Sequence, residues 1–184
     1  MPVVQELRVR KETAPPQAGR TEPTQTEEEQ KVRQDVAALL DTLLHGDTYS
    51  RLQAAGALGR IGEPAVDPLV QTLTDKETKA RWNVAMALAR VGEPAVGSLI
   101  TITTTADDQV RNAAVWALAE IGDARAVEPL TAILRGEHSE CCRALTAAAL
   151  LKIGDPAGVA AVGEELAAGG GAFEGLVMEA YEGT

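Results

Sequence analysis

Aromatic side chains are scarce in this chain of 184 residues: two Trp, two Tyr and one Phe, 3% in all. A core with so few rings must be filled by Ala, Leu, Val and Ile, which suits close-packed helices better than a β-sandwich. Cysteine is limited to the adjacent pair Cys141 and Cys142. That excludes a disulfide framework and points to a reducing compartment. Positive charge is outnumbered, with 17 Lys and Arg against 27 Asp and Glu, for a net charge of −10. Nonspecific nucleic-acid binding needs a positive surface to displace counterions, and docking on anionic lipid needs one too. The composition therefore argues against nucleic-acid and membrane partners, while a basic or neutral protein partner stays compatible. The acidity equally fits plain solubility or the cytoplasm of a salt-accumulating organism. No apolar run approaches the ~18 residues of a membrane span. The start, Met1-Pro2-Val3-Val4-Gln5-Glu6, has no signal-peptide layout. A soluble cytoplasmic protein is expected.

What the chain does have is a repeat. Arg51 lies eleven residues before Gly62, Arg81 eleven before Gly92, Arg111 eleven before Gly122 and Arg143 eleven before Gly154. The glycines are 30, 30 and 32 residues apart. Self-similarity at such a period is the mark of a stacked repeat architecture. Each unit reads as helix, Gly turn, helix. The glycines stand where a helix C-cap takes positive φ. Pro64, Pro94 and Pro156 follow two residues later, where Pro can open the next helix. Repeats three and four carry one extra residue in this turn, Arg125 and Gly158.

Four full repeats are expected, at 48–75, 78–106, 107–136 and 139–168. Residues 26–46 predict a half-repeat cap, because Val36, Leu39, Leu40 and Leu43 share the spacing of Val66, Leu69, Val70 and Leu73. Thr26 is its expected N-cap, followed by acids suited to the helix dipole. Residues 1–25 read as a disordered tail, within which 3–9 has the composition of a strand. Gly169-Gly170-Gly171 reads as a flexible linker, before a short capping segment that completes 169–184. Its apolar side is Phe173, Leu176, Val177 and Tyr181. The fold expected is all-α: a right-handed α-α superhelix of four helix pairs and a cap.

The frame of Val110, Arg111, Ala117, Leu118, Ile121, Gly122, Asp123, Ala126, Val127, Pro129 and Leu130 resembles the short HEAT-like repeat of the phycobilisome-lyase type. The resemblance covers about residues 32–168. It implies the solenoid fold, and it spans lyase subunits, a metal-dependent hydroxylase and pure binding scaffolds. Fold therefore does not decide function. The hydroxylase branch is built on His-Glu pairs across repeats. Here only His45 and His138 exist, each alone, so that ligand set cannot be assembled. No Cys/His metal spacing occurs, and neighbouring thiols on a helix point ~100° apart. Ser50, Ser98 and Ser139 lack a nucleophile-elbow setting. No catalytic residue, metal or cofactor is expected.

Two sets of residues remain. The recurring Arg51, Arg81, Arg111 and Arg143 are expected to register the stack by bonding to acids or to helix-end carbonyls between repeats. The acids Glu63, Glu93, Asp123 and Asp155 recur just after the glycines. On each first helix, counted back from the glycine, positions −8, −4 and −1 form the core stripe (Ala114, Leu118, Ile121). Positions −13, −10, −6 and −2 lie opposite and vary in type. They hold Tyr49, Leu52, Gly56, Arg60; Lys79, Trp82, Met86, Arg90; Gln109, Asn112, Trp116, Glu120; and Cys141, Ala144, Ala148, Lys152. Both tryptophans fall there. Exposed Trp, Tyr, Met and Arg are enriched in binding hot spots. Tyr49, Leu52, Trp82, Met86, Arg90, Asn112 and Trp116 are the expected partner-binding residues. The competing expectation is that the tryptophans fill gaps between helices. The resemblance implies a partner on this first-helix, concave face. The function read from the chain is a non-catalytic protein-binding scaffold. The alternative is a bilin-lyase-like or chaperone-type subunit that holds a cofactor or client enzyme.

Overall fold

The computed structural model describes residues 25–75, 78–105, 107–136 and 139–183. The expected tail, up to residue 24, and His138 lie outside them. The described chain is all-helical, without strands, and forms an α-solenoid. Its helices are α1 (Gln25–His45), α2 (Thr48–Ile61), α3 (Val66–Thr74), α4 (Arg81–Val91) and α5 (Val96–Thr105). They continue as α6 (Asp108–Ile121), α7 (Val127–Arg135), α8 (Glu140–Ile153) and α9 (Pro156–Glu182). The first helices α2, α4, α6 and α8 pack side by side in one layer, and the second helices follow in the other. Helix α1 packs against α2 and α3 at one end of the stack. It starts one residue before Thr26, so Thr26 lies inside the first turn and is not the N-cap.

Local chemistry sets the helix ends. Asp47, Asp107 and Ser139 accept from the backbone N–H three residues on and so cap α2, α6 and α8. The stack is held by a leucine at the same place in every first helix. Leu58, Leu88, Leu118 and Leu150 are fully buried, and the second helices answer with Leu69, Leu99 and Leu130. Alanines beside these leucines let the helices approach closely. The approach is tightest at Gly59, where an added Cβ would stand 2.7 Å from the Arg90 carbonyl oxygen. The β-branched run in α5 is helical, and Thr101, Thr103 and Thr104 turn their hydroxyls back onto helix carbonyls.

All four turn glycines have positive φ, yet they fall into two classes. Gly62 and Gly92 adopt φ 77, ψ −135 and φ 79, ψ −137. Gly122 and Gly154 adopt φ 72, ψ 21 and φ 74, ψ 11, the left-handed helical region. In the later repeats one more residue separates the glycine from the first valine of the second helix, which accounts for the difference; Gly158, expected in the turn, lies inside α9. With the additional residue, the chain leaves the helix through one left-handed residue. Without it, Gly62 and Gly92 must swing ψ further to start a 3-10 turn, over Glu63–Ala65 and Glu93–Ala95, at once. Asn tolerates the left-handed region, whereas the region near that of Gly62 is essentially restricted to Gly. Gly62→Asn is therefore expected to lower stability by about 1–3 kcal/mol, and Gly122→Asn by under about 1 kcal/mol. Thermal melts of both variants check this; equal losses would contradict the assignment.

The helical path is broken within the expected 169–171 break: α9 consists of two helical stretches that meet at a kink at Gly170, whose φ of 70 and ψ of −179 are non-helical. Phe173 sits on Gly169 and lies under the Arg143 guanidinium, 4.9 Å from its ring centroid. Phe173 and Val177 are buried, while Leu176 and Tyr181 stay exposed.

Candidate interaction face

The recurring arginines bond to carbonyls, not to the recurring acids. The Arg111 Nε–H donates to the Thr103 carbonyl at 2.9 Å, and its guanidinium also meets Asp108. The Arg143 Nε–H donates to the Leu134 carbonyl at 2.9 Å, and Arg81 donates to the Asp75 carbonyl at 3.0 Å. Each ties a first helix to the end of the preceding second helix, where carbonyls lack intrahelical partners. Arg51 departs from this: its Nε is buried with no partner among the described residues. The acids serve elsewhere. Asp123 is held by the side chain and the backbone N–H of Arg125, which lower its pKa from 3.8 to about 2. Asp155 caps α9.

The opposite stripe faces solvent unevenly. Tyr49 is 72% exposed, Leu52 44% and Trp82 55%. Trp116 is half-buried and packs on the core, as does Met86. Stacking of α4 on α6 brings the two indoles together. Their centroids are 5.9 Å apart with planes at 85°, an edge-to-face pair favoured by ring quadrupoles. This corrects the expectation that both rings stand clear of the core: Trp116 fills space between helices, and Trp82 stands above it. Asn112, one turn before Trp116, keeps its side-chain oxygen buried and without a donor among the described residues. Arg90 is exposed at the far end of the same α4 face. Tyr49 lies in the cleft between α1 and α2, a volume of about 360 Å³ shared with Leu39, Gln53 and Arg60.

No three His, Cys, Asp or Glu side chains converge among the described residues. Cys141 is exposed while burial raises the pKa of Cys142, so the thiols do not face one site. No single described helix is long and apolar enough to cross a membrane. Helices α4 and α5 pass that test only as a pair, bent by 119°, and their apolar faces are buried in the core.

Arg60 lies in the same stripe, but only the packed geometry singles it out, as it does Gly56 and Gly59. The signal in the sequence is that Arg60 and Arg90 occupy the same place in consecutive repeats. The family model described as HEAT repeats matches this chain over residues 36–108 and again over 98–168. A comparison with curated proteins gave no match.

Proposed function

The chain belongs to the HEAT-repeat family, and on that premise we propose that it is a non-catalytic scaffold binding a protein through the first-helix face. HEAT repeats are commonly protein-interaction scaffolds. The observation that carries the reading is the indole pair. Trp82 leaves more than half its surface in water on a chain with only five aromatic residues. Burying that surface against a partner is worth ~25 cal/mol per Å². Tyr49 and Leu52 on the same stripe are also exposed, and Asn112 holds an acceptor with no donor among the described residues. The unpaired, exposed thiol of Cys141 fits a reducing, cytoplasmic setting.

The test is affinity purification from the native host with the parent chain and Trp82→Ala side by side, read by mass spectrometry. The expected result is one or more proteins recovered with the parent and depleted with the variant. Recovery of the same proteins in the same amounts would remove this face from the interaction.

The finer likeness, to the phycobilisome-lyase type, carries the alternative of a subunit holding a conjugated cofactor. Planar indole faces would stack on such a group. A visible chromophore acquired on co-expression with a bilin source, and lost in Trp82→Ala, would favour it.

A further inference from the structure

The stripe forms a grid in which each helix contributes one residue per turn. At its last level it holds Arg60, Arg90, Glu120 and Lys152. The second half of that level is closed, because Lys152 donates to Glu120 across the repeats. The first half is open. Arg60 and Arg90 are both exposed, and neither makes a hydrogen bond or ion pair among the described residues. They also converge. A Cβ placed on Gly56 would lie 3.7 Å from a guanidinium nitrogen of Arg60 and 3.8 Å from one of Arg90. Because both flank one point, their separation is below the ~8 Å Debye length of physiological salt. Two positive charges so close repel each other, and on a chain of net charge −10 acids to pair them with are not lacking. Asp35 shares a cleft with Arg60 but forms no ion pair with it. Glu93 is engaged by Arg125 instead.

Resting on the interaction face described above, we propose that Arg60 and Arg90 form a clamp over Gly56 for a carboxylate of the partner, which is an extended acidic segment bearing an apolar side chain. Guanidinium groups bind carboxylates by paired, charge-assisted hydrogen bonds. An acid seated between them relieves their repulsion, and Gly56 leaves it room. The apolar anchor goes to the indole pair. Trp82, Met86 and Arg90 lie on one face of α4, each about 6 Å from the next at 1.5 Å per residue. The clamp is thus about 6–12 Å from the indoles, two to four residues of extended chain at ~3.3 Å each. The overall negative charge opposes such a partner at long range, but salt screens that field beyond ~8 Å while contact pairs persist. The chain's composition suits a basic or neutral partner; the clamp reverses that preference locally.

The two tryptophans of the chain are both at this site, so intrinsic fluorescence reads it without a label. The probe is an end-blocked Gly/Ser peptide of about twelve residues, with a leucine three residues before an Asp-Glu pair, a spacing set by the extended-strand rise. Controls replace the acids with Asn-Gln or Lys-Lys. The acidic peptide is expected to shift the emission saturably, with affinity at least ~10-fold above the amide peptide. Arg60→Gln and Arg90→Gln should each erase that difference without changing the melt. Equal affinities for acid and amide, no response to either up to about 1 mM, preference for the Lys-Lys peptide, or discrimination surviving in the double variant would each overturn the clamp. The native partner separates this from the broader reading. Loss of its binding in Trp82→Ala but not in the arginine variants keeps the face and refutes the acidic partner. Loss in none refutes both.

Discussion

Trp82→Ala is expected to weaken binding of the native partner at least ~10-fold, which is ~1.4 kcal/mol. A central aromatic anchor commonly contributes more than that, ~2 kcal/mol or above. The same substitution should barely alter folding. Trp82 is 55% exposed, and its main intramolecular loss is the edge-to-face contact with Trp116, worth ~0.5–1.5 kcal/mol. Trp116→Ala should behave differently. Its ring is half-buried against the core, so truncation is expected to cost about 2 kcal/mol of stability, below the ~3–5 kcal/mol of a fully buried Trp. It should weaken binding as well, because Trp116 is the platform on which Trp82 rests. Urea denaturation and partner titration on the same two proteins check both statements. If Trp82→Ala unfolded as readily as Trp116→Ala and its folded fraction bound normally, both rings would be interior packing.

Arg111→Ala is expected to destabilise by about 2–3 kcal/mol, while Arg51→Ala should cost under about 1 kcal/mol. The two arginines hold the same place in the repeat. Arg111 is buried and donates to the end of α5, and it also meets Asp108. Removing it uncovers the Thr103 carbonyl in a place water reaches poorly, and hydrogen bonds from charged donors are worth ~1.5–3 kcal/mol. Arg51 instead holds a buried Nε–H without an acceptor among the described residues. Alanine removes that unmet donor, which offsets the packing lost. For a chain of this size the Arg111 loss corresponds to a melting shift of roughly 4–12 °C. Equal shifts for the two variants would show that the ladder does not depend on these carbonyl bonds.

Much of the architecture is legible without coordinates. The eleven-residue interval from Arg to Gly, the −8, −4, −1 stripe and the later Pro mark each helix and its end, because helical period and capping are local. Leu58, Leu88, Leu118 and Leu150 read as core and are fully buried. The glycine triplet reads as a break, and the helix does break at Gly170; packing of Phe173 and Val177 holds the second helical stretch of α9 against the stack beyond that kink.

The sequence by itself determined a stack of helix pairs with a variable face carrying both tryptophans, because that face is defined by spacing within a single helix. Tertiary structure decided how equivalent residues differ. It placed Trp82 in water and Trp116 between helices, gave Arg111 a carbonyl and Arg51 none, and drew Arg60 and Arg90 together over Gly56. Each of these outcomes depends on groups of a neighbouring helix. Exposure and pairing are properties of the gap between helices, whose width is set by residues such as Gly59 and Arg90, on neighbouring helices. Periodicity along one helix carries no record of that gap.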